Sequence, residues 1–168
     1  ARAIVVNSGC SNVAMGARGI RDAKTMGRIT ARAVGCDERD VLIASTGVIG
    51  QPLPLETLKR GIPQAAAALS SEGVAEAAEA IRTTDTYAKL ASATIRLGRE
   101  TVTLQGIAKG AGMIEPNMAT MLAFLTTDAK IAPALLRTLL RRVADSTFNR
   151  LSVDGETSTS DSVMLLAS

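Results

Sequence analysis

Residues 93–104 commit this chain to a β-sheet. In Ala93-Thr94-Ile95-Arg96-Leu97 and Thr101-Val102-Thr103-Leu104 polar and apolar side chains alternate, and the intervening Gly98-Arg99 suits a two-residue hairpin turn. Helical spacing holds elsewhere. Between residues 16 and 34, Ile20, Ala23, Met26, Ile29 and Ala33 recur at three- and four-residue steps with arginines between them, which predicts an amphipathic helix ending at Gly35. A fold of helices alone or strands alone accommodates only one of these patterns.

The remaining elements follow from shorter signals. Residues 4–6 and 41–44 read as buried strands, the first followed by a turn over residues 7–12, the second by a loop over 45–52. Residues 55–69 read as a helix that Pro63 kinks or divides, and 74–81 as a short alanine-rich helix. The glycine-rich stretch 106–112 reads as a tight turn, followed by an apolar run over 118–125. Pro133 opens a helix through Val143 whose last turns carry Arg137, Arg141 and Arg142, favourable against the helix dipole. Asp154-Gly155-Glu156 reads as a turn between short strands, with the oxygen-rich residues through Asp161 solvated. The fold class is therefore mixed α/β (α+β), with layered sheets and helices. The 168 residues support one sizeable core, and no linker divides it.

Composition narrows the chemistry. There is no histidine, so this chain alone builds no Ser-His-Asp triad, imidazole shuttle or histidine-bound metal. Cys10 and Cys36 are too few for a disulfide framework or cysteine zinc site. The net charge of +3 comes without a basic stripe, and Tyr87, Phe124 and Phe148 are the only aromatics, which argues against a nucleic-acid partner. No apolar run approaches the ~20 residues that span a bilayer. The expectation is a cytoplasmic protein without signal peptide or membrane partner. Both ends run straight into apolar stretches, residues 3–6 and 163–167, which predicts the central piece of a longer reading frame, incomplete at both ends.

The glycine stretch lacks the spacing of a phosphate loop, and residues 154–161 place glycine second where a calcium loop needs it sixth. Without histidine, a hydroxyl or thiol needs another activator. One solution is a Thr, Ser or Cys at a chain terminus whose own α-amino group, with a pKa of about 7.7–8.0, serves as base. Self-cleavage can create such a terminus. Residue chemistry alone does not choose among the threonines, and a threonine in an apolar run also reads as a plain strand residue.

Residues 109–122, Lys-Gly-Ala-Gly-Met-Ile-Glu-Pro-Asn-Met-Ala-Thr-Met-Leu, closely resemble the self-processing segment of the ornithine acetyltransferase (glutamate N-acetyltransferase) family of arginine biosynthesis. Val5-Val6-Asn7-Ser8-Gly9, residues 44–50, Thr83-Thr84-Asp85-Thr86, and Phe148-Asn149-Arg150 through residues 154–159 also resemble family motifs, in family order. The resemblance covers essentially the whole chain.

It implies cleavage between Ala119 and Thr120, with residues 1–119 as the C-terminal part of an α chain and 120–168 as the N-terminal part of a β chain, both within one structural domain. Thr120 becomes the nucleophile. Thr46 and Gly47 stabilise the oxyanion, and Thr86, Lys109 and Thr120 bind substrate. The implied reaction is ping-pong: Thr120 takes acetyl from N2-acetylornithine and passes it to glutamate, without metal or organic cofactor; some members also accept acetyl-coenzyme A. The implied assembly is an α2β2 heterotetramer of the two chains of one precursor. Lys109 would pair with the substrate α-carboxylate and, beside the Thr120 amine, favour its unprotonated form.

Taken alone, Thr46-Gly47 is also an ordinary turn, Thr86 a helix-end residue and Lys109 a solvated lysine. Cys10-Ser11-Asn12 departs from the family's usual Asn-Ala-Asn, and Cys10 reads as a small buried residue. The family's remaining substrate residues, an acid and an Asn with a hydroxyl residue, lie beyond Ser168. Two other readings stand beside the transferase: a related self-cleaving aminopeptidase or amide hydrolase, and a truncated, non-catalytic fragment with exposed strand edges.

Overall fold

A computed structural model of the protein describes residues 1–112, 121–153 and 158–168. The chain divides into two compact units, Ala1–Glu76 and Ala77–Ser168, where length predicts one core. The reason lies in strand pairing: among the described residues the first two strands bond each other and the last four bond each other, so each sheet closes within its own unit.

In the first unit, β1 (Ala3–Cys10) and β2 (Val41–Val48) run parallel, in register from Ala3↔Val41 to Gly9↔Gly47, and are connected through α1 (Gly16–Val34). The helix has its expected bounds. Gly35 closes it in the left-handed conformation, φ 73°, and donates its N–H to the Ala31 carbonyl at 2.9 Å. Its buried face differs from the expected stripe: Gly19, Asp22, Met26, Gly27, Thr30 and Ala31 are buried, while Ile20 is 61% exposed and Ala33 is exposed. Close approach explains the rotation. A Cβ at Gly27 would lie 2.9 Å from Ile43 Cδ1, so the helix meets β2 across a glycine rather than across large side chains.

Both strands outrun their expected ends. They absorb residues 7–10 and 45–48, expected as turn and loop, because Gly9 and Gly47 pair with each other across the ladder instead of turning the chain. Thr46-Gly47 is therefore strand, not turn. Helix α2 (Leu55–Ala67) runs through Pro63 undivided. Proline removes one helical N–H, but Ile62 is buried with Cys10, Met26 and Leu53, and Leu55 and Leu58 pack against that cluster, so tertiary packing holds the helix together. A short helix, α3 (Val74–Ala80), follows.

The second unit holds the four-stranded sheet β3 (Lys89–Leu97), β4 (Glu100–Lys109), β5 (Leu122–Thr127) and β6 (Ser162–Ala167), in that spatial order. The hairpin forms around Gly98-Arg99 as expected, with Leu97 opposite Glu100, and extends to Lys89↔Ala108. Residues 106–109, expected in a tight turn, are thus strand. Strands β4 and β5 are antiparallel; β5 and β6 are parallel, with α4 (Pro133–Ser146) in their connection. Pro133 opens α4 as expected, but the helix continues to Ser146, which leaves its last turn without a basic residue. Consecutive Leu122, Ala123 and Phe124 are 0%, 1% and 7% exposed, the mark of a strand covered on both faces. The expected turn at Asp154-Gly155-Glu156 lies outside the described residues.

Candidate active site

One end of the four-stranded sheet gathers charge. Register places Lys109 of β4 beside Leu122 of β5, and Leu122 beside Ser162 of β6, so the end of one strand and the starts of two others form a row. Asp85 precedes β3 at the same end. Its Oδ1 accepts from Lys89 Nζ at 2.7 Å and from the Gly110 N–H at 2.7 Å; its Oδ2 accepts from the Thr83 N–H at 3.4 Å. Arg82 Nη2 donates to the Asp85 carbonyl at 2.8 Å. Burial alone would raise the Asp85 carboxyl, but Lys89 and the two N–H groups outweigh it and hold the carboxyl below its ordinary value. Lys89 also stands 4.7 Å from the centroid of the Tyr87 ring.

Lys109 is 3% exposed, not the solvated lysine of its bland reading. Burial pushes its ammonium below the ordinary value; Asp85 opposes that shift, Lys89 adds repulsion and Asp161 also opposes it. Asp161 caps the row. Its Oδ1 accepts the Met121 N–H, while the Ser162 N–H donates to the Met121 carbonyl at 3.0 Å. Burial pushes the Asp161 carboxyl up to about 6, against the Met121 N–H and Lys109, which both favour the ion. The oxygen-rich turn expected to be solvated thus ends in a partly buried acid. A buried ammonium of this kind pairs readily with an incoming carboxylate.

Thr86 follows Asp85 directly, in an exposed bend between α3 and β3, so the Asp85 contact with Gly110 brings the neighbourhoods of Thr86 and Lys109 together. Ala119 and Thr120 lie outside the described residues. Thr46 and Gly47 belong to the other unit, near the C-terminal end of β2, the end at which open parallel sheets commonly bind ligands. Thr46 is wholly buried. Gly47 has φ 131°, and a Cβ there would stand 2.3 Å from the Gly9 carbonyl carbon, so no other residue fits without parting the strands. Ser11 Oγ donates to the Val48 carbonyl at 2.9 Å, and Asn7 Nδ2 donates to that of Cys10 at 2.8 Å, bracing this end. Cys10 is buried, its thiol donating to the Gln51 carbonyl at 3.1 Å, in keeping with a small core residue.

Sequence reasoning missed Asp85, Lys89 and Asp161 as members of the constellation. Asp85 lies in Thr83-Thr84-Asp85-Thr86, a motif whose resemblance points to Thr86 alone. Asp161 had no usable signal, because its partner is a backbone N–H 40 residues away.

Among known proteins, the model of the ArgJ family matches residues 1–168. The "arginine biosynthesis bifunctional protein ArgJ" of Symbiobacterium thermophilum is 54% identical over 166 residues, 99% of this chain and 41% of that protein. The protein of the same name from Geobacter sulfurreducens is 49% identical over 166 residues, 99% of this chain and 42% of that protein. This chain therefore spans about two fifths of the length of these curated relatives. The crystal structure of ArgJ from Bacillus halodurans superposes with a TM-score of 0.63 at 40% identity, covering 70% of this chain and 60% of that one. Ornithine acetyltransferase from Mycobacterium tuberculosis, solved with ornithine, gives 0.57 at 27% identity, covering 70% and 62%.

Proposed function

This chain belongs to the ArgJ family, and on that premise we propose that it forms part of an acetyltransferase of arginine biosynthesis that moves acetyl from N2-acetylornithine to glutamate through an acetyl-threonine at Thr120. The single observation that carries the reading is the buried Lys109 at the sheet end, within the electrostatic reach of Asp85 and Asp161 and one strand from Leu122, two residues after Thr120. Both substrates present an α-carboxylate for that ammonium, with Thr86 nearby.

Cleavage between Ala119 and Thr120 frees an α-amine. That amine accepts the Thr120 hydroxyl proton as Oγ attacks the acetyl carbonyl; the C–N bond breaks, and the proton leaves with ornithine. Glutamate's amine then attacks the ester and restores the hydroxyl. The Thr46 hydroxyl and Gly47 N–H receive the oxyanion, a contribution of about 3 kcal/mol for one such donor. The α and β chains of one precursor assemble as an α2β2 heterotetramer in the cytoplasm.

The test uses the protein with whatever sequence flanks this chain in its gene. Intact mass and N-terminal sequencing should find a chain beginning Thr120-Met121-Leu122, and acetyl release from acetylornithine should require glutamate. Thr120→Ala should leave one uncut, inactive chain. Normal maturation of that variant would refute the proposal, and acetyl release to water at equal rate would replace transferase with hydrolase.

A further inference from the structure

One carboxylate joins the two segments that supply Thr86 and Lys109. Among residues 83–87 only Asp85 is buried, while Thr83, Thr84, Thr86 and Tyr87 are exposed, so its side chain is the inward anchor of that bend. The side chain is wholly buried and reaches a backbone 25 residues on, where Oδ1 accepts the Gly110 N–H at 2.7 Å; Oδ2 accepts the Thr83 N–H of its own bend at 3.4 Å. Gly110 is where β4 leaves the sheet. The ladder with β3 ends at Lys89↔Ala108 and the ladder with β5 at Lys109↔Leu122, and the chain departs through Gly110 at φ 151°, which a residue without a Cβ adopts readily. Gly110 is buried one step past the last paired residue, so its N–H needs the acceptor that Asp85 supplies. That N–H shares a planar peptide unit with the Lys109 carbonyl. Pairing with β5 holds Lys109 on one side and Asp85 fixes the peptide plane on the other, so the direction in which the lysine side chain leaves the backbone is set by both.

We infer that Asp85 is a positioning residue for substrate recognition: its carboxylate ties the bend carrying Thr86 to the strand end carrying Lys109, and so fixes the spacing between two groups that grip the substrate. The inference rests on the proposed function above. Placement, not charge, is the contribution. Asp85 is already engaged by Lys89 Nζ at 2.7 Å, and an anion close to Lys109 competes with the substrate carboxylate for the ammonium rather than helping to bind it.

Asp85→Asn and Asp85→Glu separate placement from charge, in the protein with the sequence that flanks this chain in its gene. Asparagine keeps an acceptor oxygen in place of Oδ1 and loses the charge. The Asp85→Glu change keeps the charge but moves the oxygens by one methylene, at a position where the native side chain is wholly buried. KM for acetylornithine and for glutamate should stay within about threefold of the parent in Asp85→Asn, even though that variant loses stability. In Asp85→Glu both KM values should rise at least about tenfold, with kcat within about threefold of the parent, because binding rather than the chemical step is altered. Should Asp85→Glu fail to fold by circular dichroism, Asp85→Ala, which removes the acceptor outright, takes its place with the same expectation. KM raised as far in Asp85→Asn as in Asp85→Glu, or parental in both, overturns the inference. So does an Asp85→Glu variant nearer the parent than Asp85→Asn, since charge would then be the contribution. The two levels stay distinguishable: a parent that moves no acetyl between acetylornithine and glutamate sinks the proposed function and this inference with it, whereas a parent that does, with the two variants alike, sinks only the role of Asp85.

Discussion

Replacing Gly47 with alanine should part the two strands of the first unit. The added Cβ would stand 2.3 Å from the Gly9 carbonyl carbon, 2.5 Å from the Cys10 nitrogen and 2.6 Å from the Gly9 oxygen. Carbon atoms sit comfortably at about 3.5–4.0 Å, so the backbones must separate by about 1 Å or more. All three obstacles are backbone atoms of a paired strand, so no side chain can swing aside. A φ of 131° adds strain of about 1–3 kcal/mol for a residue with a Cβ. Overpacking adds about 1–3 kcal/mol. A central total of about 4 kcal/mol corresponds to a fall of about 8–16 °C in melting temperature for a chain of this size. Gly50→Ala supplies the control, since Gly50 also has positive φ, 75°, but nothing within 4 Å of its would-be Cβ, leaving strain without clash. Thermal unfolding followed by circular dichroism reads both variants. Equal losses for Gly47→Ala and Gly50→Ala would refute the claim that strand approach, rather than backbone conformation, reserves position 47 for glycine.

Two further outcomes concern the sheet end of the second unit. Asp85 has its carboxyl held below the ordinary value, so the stability it contributes is present above its unfolded pKa of about 3.9 and is lost as pH falls toward the lower native value. Asp85→Asn should cost about 1–3 kcal/mol at pH 7, allowing for the partly exposed Lys89, and should flatten the acid limb of urea unfolding; an unchanged limb contradicts the reading. Lys109→Met should raise KM for acetylornithine and glutamate by roughly 10- to 150-fold, the value of one hydrogen bond to a charged group. It should also move the acid limb of the pH–rate profile to higher pH, because a positive neighbour of the proposed Thr120 amine is gone and the amine holds its proton longer; unaltered constants and profile would remove Lys109 from the site.

Elements set by local chemistry were legible before any coordinates. Helix α1 with its Gly35 stop, the Gly98-Arg99 hairpin and the Pro133 helix start each depend on residues within a turn or two of one another. What escaped depends on distant partners. Gly9 and Gly47 look like turn glycines until they face each other across a parallel ladder, and the true inner face of α1 follows from Gly27 meeting Ile43 rather than from its apolar stripe. The site shows the same division. Lys109 and Thr46-Gly47 stood out by resemblance, but the burial that distinguishes Lys109 and Thr46 from a solvated lysine and a turn residue is a tertiary property. Asp161 stayed hidden because a carboxylate serving a distant backbone N–H leaves no pattern in spacing.

The electrostatics of that sheet end suit a substrate that brings its own negative charge. Asp85, Lys89, Lys109 and Asp161 sum to zero when all are ionised, so the resting cluster needs no external counter-ion. The charges are nevertheless unevenly held. Asp85 is committed to Lys89 and to two backbone N–H groups, whereas Asp161 lies far enough from full stabilisation that its carboxyl titrates at about 6. At Lys109, burial and Lys89 both press on the ammonium's proton, while Asp85 and Asp161 oppose that shift. On the proposed function, an incoming α-carboxylate opposes that shift in the same sense as Asp85 and Asp161. On the proposed function, a substrate lacking the carboxylate forgoes its contact with the Lys109 ammonium, so acetylornithine should be taken in preference to its decarboxylated analogue, and equal kcat/KM for the two would refute that contact.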